Sequence, residues 1–250
     1  MCTGDCDGRP GTRRAGAAPG WPDAADLDAE QDRLAALRPP HWQPEPGPLA
    51  AGGCFLAFAR GQQGPGHPGD RGWAGAALVE EPGHHLRVAV AVPVRAGATY
   101  QPGRLALREG PALAAALAAL GARPDVVLVD ATGRDHPRRA GLALHLGAAL
   151  DVPTVGVTHR PLRAAGDEPG AEAGAWTPLL LDGDVVGAWM RTRPGARPVA
   201  VHAAWRTDVA TAVDVVRRCS GRARTPEPLR QARVAARRAR AEAEGRAAAT

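Results

Sequence analysis

The stretch PDVVLVDATGRDHPRR, residues 124–139, decides the fold of this chain. Val126 to Val129 is a short apolar run rich in β-branched residues, introduced by Pro124, ended by Asp130 and followed by Gly133. Such a run is a buried strand that delivers a carboxylate at its carboxyl end. In open α/β sheets ligands bind beyond the carboxyl ends of strands, so Asp130 is well placed to hold a hard cation through oxygen. Upstream by 21 residues, Glu109 opens EGPALAAALAALGARPD, an apolar helical stripe with Pro111 expected in its first turn and Gly121 near its end. A helix start and a strand end that meet at one point bring two carboxylates together. The same two residues also suit plainer roles, Glu109 complementing a helix dipole and Asp130 capping a loop.

Outward from this block, continuous or alternating apolar runs mark strands at Gly53 to Ala59, Trp73 to Val79, Leu86 to Val94, Thr154 to Val157, Leu179 to Leu181, Val185 to Met190 and Pro198 to Val201. Helical periodicity falls at Leu27 to Leu37, Glu109 to Leu120, Pro137 to Leu150, Val209 to Cys219 and Pro228 to about Ala243. Strands come mostly first and then alternate with helices, which predicts one mixed α/β domain. The Gly-rich residues 1–20 are expected to be a disordered tail, residues 21–235 the domain, and residues 236–250 a basic Ala/Arg-rich tail.

Composition carries less than its numbers suggest. The 250 residues contain no Lys, Asn or Ile and a single Tyr and Ser, so all 31 basic residues are Arg, as a GC-rich genome would produce. The net charge of +5 suits a surface that tracks phosphates but does not identify one. No apolar leader and no apolar run of membrane-spanning length occur, which predicts a cytoplasmic protein without membrane contact. Cys2 and Cys6 have poor zinc spacing, and Cys54 and Cys219 lie in core-like segments where thiols act as small hydrophobes. His84 and His85, beside Pro82 and Gly83, read as turn residues.

Taken in order, the motifs around the two carboxylates resemble those of the endonuclease V family. Tyr100-Gln101-Pro102-Gly103 is similar to its wedge, Arg108 to Pro111 to its Arg-Glu-Gly-Pro helix, and Asp130 to Gly133 to its Asp-Gly-x-Gly strand end. His136-Pro137-Arg138 matches its His-Pro-Arg turn, and Pro153 to Val157 its Pro-Thr-Ile-Gly-Val strand. The likeness extends over roughly residues 21 to 235. It implies an RNase H-like mixed sheet flanked by helices, with Glu109 and Asp130 as catalytic and metal-binding carboxylates for Mg²⁺, or Mn²⁺, where metal binding is retained. It also implies a pocket for an extruded hypoxanthine, to which Tyr100, Pro102, Gly103, Leu105, Gly133, His136, His159 and Leu162 are assigned. Within that set His136 is expected to hold the loop to Arg138 rather than to act chemically.

Four departures from the family pattern follow. Its first-strand Asp falls on Phe55, or on Cys54 with a one-residue slip, and neither a phenyl ring nor a soft thiol suits magnesium. Its late His falls on Trp205, whose indole donates one hydrogen bond and shuttles no proton; His202 is the nearest alternative. The usual Ala-Lys-Ser becomes Thr158-His159-Arg160, and Ala131 puts a methyl group where the pocket has Gly. The expected function is therefore recognition of deoxyinosine-type lesions, or inosine, with phosphodiester hydrolysis impaired. The alternative is an active Mg²⁺-dependent deoxyinosine endonuclease with a third ligand that the motifs do not reveal. The expected partner is nucleic acid, DNA ahead of RNA, met by a monomer.

Overall fold

A computed structural model describes residues 21–248; the N-terminal tail with Cys2 and Cys6 lies outside that range. Eight strands form one mixed sheet: β1 (Leu49–Phe58), β2 (Arg71–Glu81), β3 (His85–Arg95), β4 (Val126–Val129), β5 (Thr154–Thr158), β6 (Trp176–Leu181), β7 (Asp184–Met190) and β8 (Val199–Ala203). Five helices accompany it: α1 (Leu27–Ala36), α2 (Leu105–Ala118), α3 (Leu142–Leu150), α4 (Val209–Arg218) and α5 (Glu227–Ala248). The order across the sheet is β3-β2-β1-β4-β5-β8-β7-β6. β1, β4 and β5 run parallel in the centre, and antiparallel strands complete both sides. This is the RNase H-like layout.

β4 reads as an unbroken apolar run because both of its faces are covered. Val127 and Val129 join the core beneath α1, α2 and α3, with Cys54, Leu56, Leu113 and Leu146. Val126 and Leu128 join the core beneath α4 and α5, with Val157, Val201, Val213 and Leu229. Two glycines let α5 approach the sheet. A Cβ on Gly53 would lie 2.3 Å from the Pro228 backbone, and one on Gly75 would lie 2.2 Å from the Ala232 carbonyl oxygen.

Three element boundaries differ from the sequence reading. α2 begins at Leu105, so Glu109 sits in its second turn and Pro111 lies inside the helix. Pro111 has no N–H to offer the Leu107 carbonyl, and that carbonyl is packed against Gly97 instead, where a Cβ would be only 2.1 Å away. α3 begins at Leu142, because Arg139 adopts a left-handed conformation at φ 55° and its guanidinium is anchored on the Leu181 carbonyl at 2.8 Å. Residues 236–248, read as a tail, continue α5. Ala236 is buried, Arg240 donates to the Phe58 carbonyl at 3.1 Å, and Arg60 N–H donates to Glu244 at 2.8 Å. His84 occupies a turn at φ 57° and His85 opens β3.

One buried group makes the helical layer sensitive to acid. His145 of α3 stacks on Trp21 with ring centroids 5.6 Å apart, and neither ring nitrogen has a partner among the described residues. Burial pushes its pKa down to about 4, with Glu30 opposing and Arg33 adding to the depression. The folded value lies below the unfolded one, so this contribution is complete above pH about 6.5 and is lost as the pH falls through 4. His145→Leu is expected to flatten the fall in melting temperature between those limits. A decline as steep as that of the wild type would contradict the assignment.

Candidate nucleic-acid site

The carboxyl end of β4 lies beside β1 in the sheet, with α2 over one face and α5 over the other. β1 and β4 pair in register through Cys54 and Val129. Alternation along β1 then separates two neighbours, Cys54 pointing toward α2 and Phe55 toward α5. Cys54 is fully buried, and burial, followed by the charges of Asp130 and Glu109, pushes its thiol up. Cys54 thus borders the carboxylates from the α2 side, while Phe55 borders Asp130 from the α5 side through Arg233. The Glu109 carboxyl is itself raised to about 7, first by burial and then by the Asp130 charge.

Phe55 supports two guanidinium groups on the other face. The Arg233 carbon lies 4.9 Å from the ring centroid and that of Arg237 5.8 Å away. Arg233 Nη2 donates to Asp130 Oδ2 at 3.2 Å. The donors at this point are thus Asp130, paired with Arg233, the buried Glu109 carboxyl and the Cys54 thiol. Mg²⁺ requires several hard oxygens in octahedral array, and among the described residues no group of three His, Cys, Asp or Glu is placed to hold a metal. The residues present do not fit a divalent cation.

Beside Asp130 lies a cavity of about 170 Å³ lined by Tyr100, Gly103, Leu105, Ala131, His136 and Leu162, with Gln31, Ala106, Thr132, Leu142 and Thr158. Drug-sized ligands fill roughly 300–1,000 Å³, so this cavity suits a single planar ring system. Its walls are tied together by polar anchors. Gly103, at φ 78°, accepts hydrogen bonds at its carbonyl from Gln31 Nε2 at 3.0 Å and from His136 Nε2 at 2.9 Å. Arg138 N–H donates to His136 Nδ1 at 3.1 Å, which sets the imidazole as the Nε2–H tautomer, and the Arg138 guanidinium reaches Asp28 and Asp32 of α1. On the opposite wall, buried Asp135 accepts from the backbone N–H groups of Leu162, Arg163 and Ala164 at 2.6, 2.8 and 2.7 Å. Tyr100 stands at the rim, 47% exposed.

The expected residues do not all converge. Trp205 stands apart from the carboxylates, at the amino end of β5: its backbone N–H donates to Thr154 Oγ1, and its Cβ packs against Gly147 of α3. His202 is buried with Nε2 2.8 Å from Thr158 Oγ1 and Nδ1 3.6 Å from Asp135, and burial lowers its pKa to about 4. Pro102 is exposed on the wedge beside Gly103. Gly133 supports the pocket wall from behind, since a Cβ there would lie 2.1 Å from the Ala203 carbonyl oxygen. His159 lies outside the cavity, in an adjoining cleft of about 690 Å³ shared with Arg160, Trp189, Arg197 and Arg224. Its pKa is lowered by burial and then by Arg224, with Asp130 opposing and Arg233 and Arg197 adding. Gln31, Asp135, Arg197, Arg224 and Arg233 escaped the sequence reading.

The sequence profile described as Endonuclease V matches residues 65–234. An Endonuclease V of Rhodospirillum centenum is 38% identical over 217 residues, 86% of this chain and 88% of the relative. Four further relatives of that description are 42 to 46% identical over 133 residues, and the match spans 60% of their own length. The crystal structure of the Endonuclease V from Streptomyces avermitilis superposes with a TM-score of 0.77 at 32% identity, covering 90% of this chain and 96% of that one. A Ciona intestinalis Endonuclease V, 20% identical, shares the fold with a TM-score of 0.75 over 87% of this chain and 97% of its own. That structure is a complex with a 23mer DNA containing an inosine followed by a ribo-adenosine.

Proposed function

The chain belongs to the endonuclease V family, and on that premise we propose that it recognises deoxyinosine-type lesions, or inosine, in nucleic acid while its phosphodiester hydrolysis is impaired. The observation that carries this reading is a base-sized cavity with an aromatic rim, set directly beside a carboxylate pair whose surroundings are Cys54 and Arg233. Extruding a base costs a few kcal/mol, least for a weakly paired one, which favours hypoxanthine over a normal base. Tyr100 is the group placed to fill the gap or stack on the neighbouring base. The backbone walls of the cavity are held by Gln31, His136 and Asp135, which gives a rigid frame for reading a base edge. DNA is favoured as the polymer because the Ciona relative of this fold is bound to DNA.

Loss of hydrolysis follows from the donor set. Assisting both the attacking and the leaving oxygen calls for metal held by several hard ligands. Cys54 offers soft sulfur, and Asp130 already has a cationic partner. An active Mg²⁺ enzyme would need a third oxygen ligand from the nucleic acid or from water.

The reading is tested by fluorescence anisotropy with two strands that differ only in inosine or adenine at one position. Tighter binding of the inosine strand, by roughly tenfold or more, is expected. Equal affinity for the two strands overturns the reading.

A further inference from the structure

Resting on that reading, we propose that Arg233 supplies the positive charge of this site in place of a divalent metal and binds a backbone phosphate of the nucleic-acid strand. The position is built rather than incidental. Arg233 comes from the opposite face of the sheet, rests on the Phe55 ring at 4.9 Å and reaches Asp130 Oδ2 at 3.2 Å. It therefore stands beside the carboxylate that a metal would have used. An arginine fork recognises phosphate in bidentate fashion, and among the described residues Asp130 is the one hydrogen-bond partner of the Arg233 guanidinium.

The surrounding charges extend the site into a track. Arg237 shares the Phe55 ring and makes no ion pair among the described residues. His159 feels the charges of Arg224, Arg233 and Arg197 together with that of Asp130, so these groups are neighbours. Arg197 and Arg224 then line the adjoining cleft with Trp189. A strand whose base enters the cavity beside Asp130 thus finds a series of cations, Arg237 and Arg233 at the Phe55 ring and Arg197 and Arg224 in the adjoining cleft. Because the charge is covalently part of the chain, binding needs no added cation.

The test is anisotropy with inosine-containing and adenine-containing single strands, in EDTA and in Mg²⁺, for the wild type, Arg233→Gln, Arg233→Lys and Asp130→Asn. Wild-type affinity is expected to be the same in EDTA and in Mg²⁺. Arg233→Gln is expected to weaken both strands roughly ten- to hundredfold and to reduce the salt slope by about 0.7, with Arg233→Lys intermediate. Asp130→Asn is expected to strengthen binding, since it removes a negative charge from the phosphate's side; this variant also decides the matter if Arg233→Gln melts early. An affinity that rises tenfold with Mg²⁺, an Arg233→Gln protein that binds like the wild type, or an Asp130→Asn protein that binds more weakly each overturns the proposal. An Arg233 effect without inosine preference leaves the phosphate site standing and removes the lesion reading. Inosine preference that depends on Mg²⁺ does the reverse, and no binding to either strand removes both.

Discussion

Gly133→Ala is expected to destabilise the protein by about 3 kcal/mol, the upper part of the range for overpacking a filled site. The segment after β4 lies directly on the backbone of its neighbours. Arg134 N–H donates to the Ala203 carbonyl at 2.9 Å, Gly141 N–H donates to the Gly133 carbonyl at 2.8 Å, and a Cβ on Gly133 would meet the Ala203 oxygen at 2.1 Å and the Ala204 Cβ at 2.9 Å. None of these neighbours is the free end of a flexible side chain, so the strand end itself has to move. For a domain of this size such a loss lowers the melting temperature by roughly 6–12 °C. Gly245→Ala is the control, because a Cβ there meets nothing within 4 Å. A melting temperature for Gly133→Ala within a degree of wild type would show that the segment is not packed as described.

Tyr100→Ala is expected to weaken binding about as strongly as the loss of Arg233. The ring is 47% exposed and its backbone N–H is bonded to the Pro65 carbonyl at 2.9 Å, so truncation removes a projecting aromatic face while the loop stays anchored. Stacking of a base on an aromatic side chain contributes about 1–3 kcal/mol, so the inosine strand should bind roughly five- to hundredfold more weakly. Stability should change by less than about 0.5 kcal/mol, as for other surface substitutions. Anisotropy beside a thermal melt separates the two quantities. Undiminished affinity for the inosine strand would remove Tyr100 from the recognition surface.

All eight strands were legible as apolar runs, continuous where both faces are covered and alternating in β3, which lies at the sheet edge. β4, covered on both faces, is uniformly apolar, and the motif order around Asp130 placed it among its family. Boundaries set by tertiary contacts were less visible. The proline that suggested a helix start at Glu109 is instead accommodated by Gly97 across the fold. Which faces Cys54 and Phe55 take needed the β1–β4 register, since alternation fixes a side chain's face only once the pairing is known. Trp205 shows the opposite limit. Its motif position suggested company with the carboxylates, yet the antiparallel course of β8 carries it toward the amino end of β5.

Arg233 was hidden in a run that looked like a solvated charged helix. A signal was present: Arg230, Arg233, Arg237 and Arg240 recur at spacings that keep them near one side of a helix, while Leu229, Ala232 and Ala236 mark its buried face. What the spacing lacked was the partner. Asp130 lies 103 residues away and reaches Arg233 only through the parallel pairing of β1 with β4 and the docking of α5 on the glycines of β1 and β2.

On the proposed function, this family member recognises its lesion while its hydrolysis is impaired. The most direct test is a nicking assay on an inosine-containing duplex with Mg²⁺ or Mn²⁺, wild type beside Asp130→Ala. The wild type is expected to give no metal-dependent product above the Asp130→Ala background. Nicking that appears with metal in the wild type and vanishes in Asp130→Ala would contradict it.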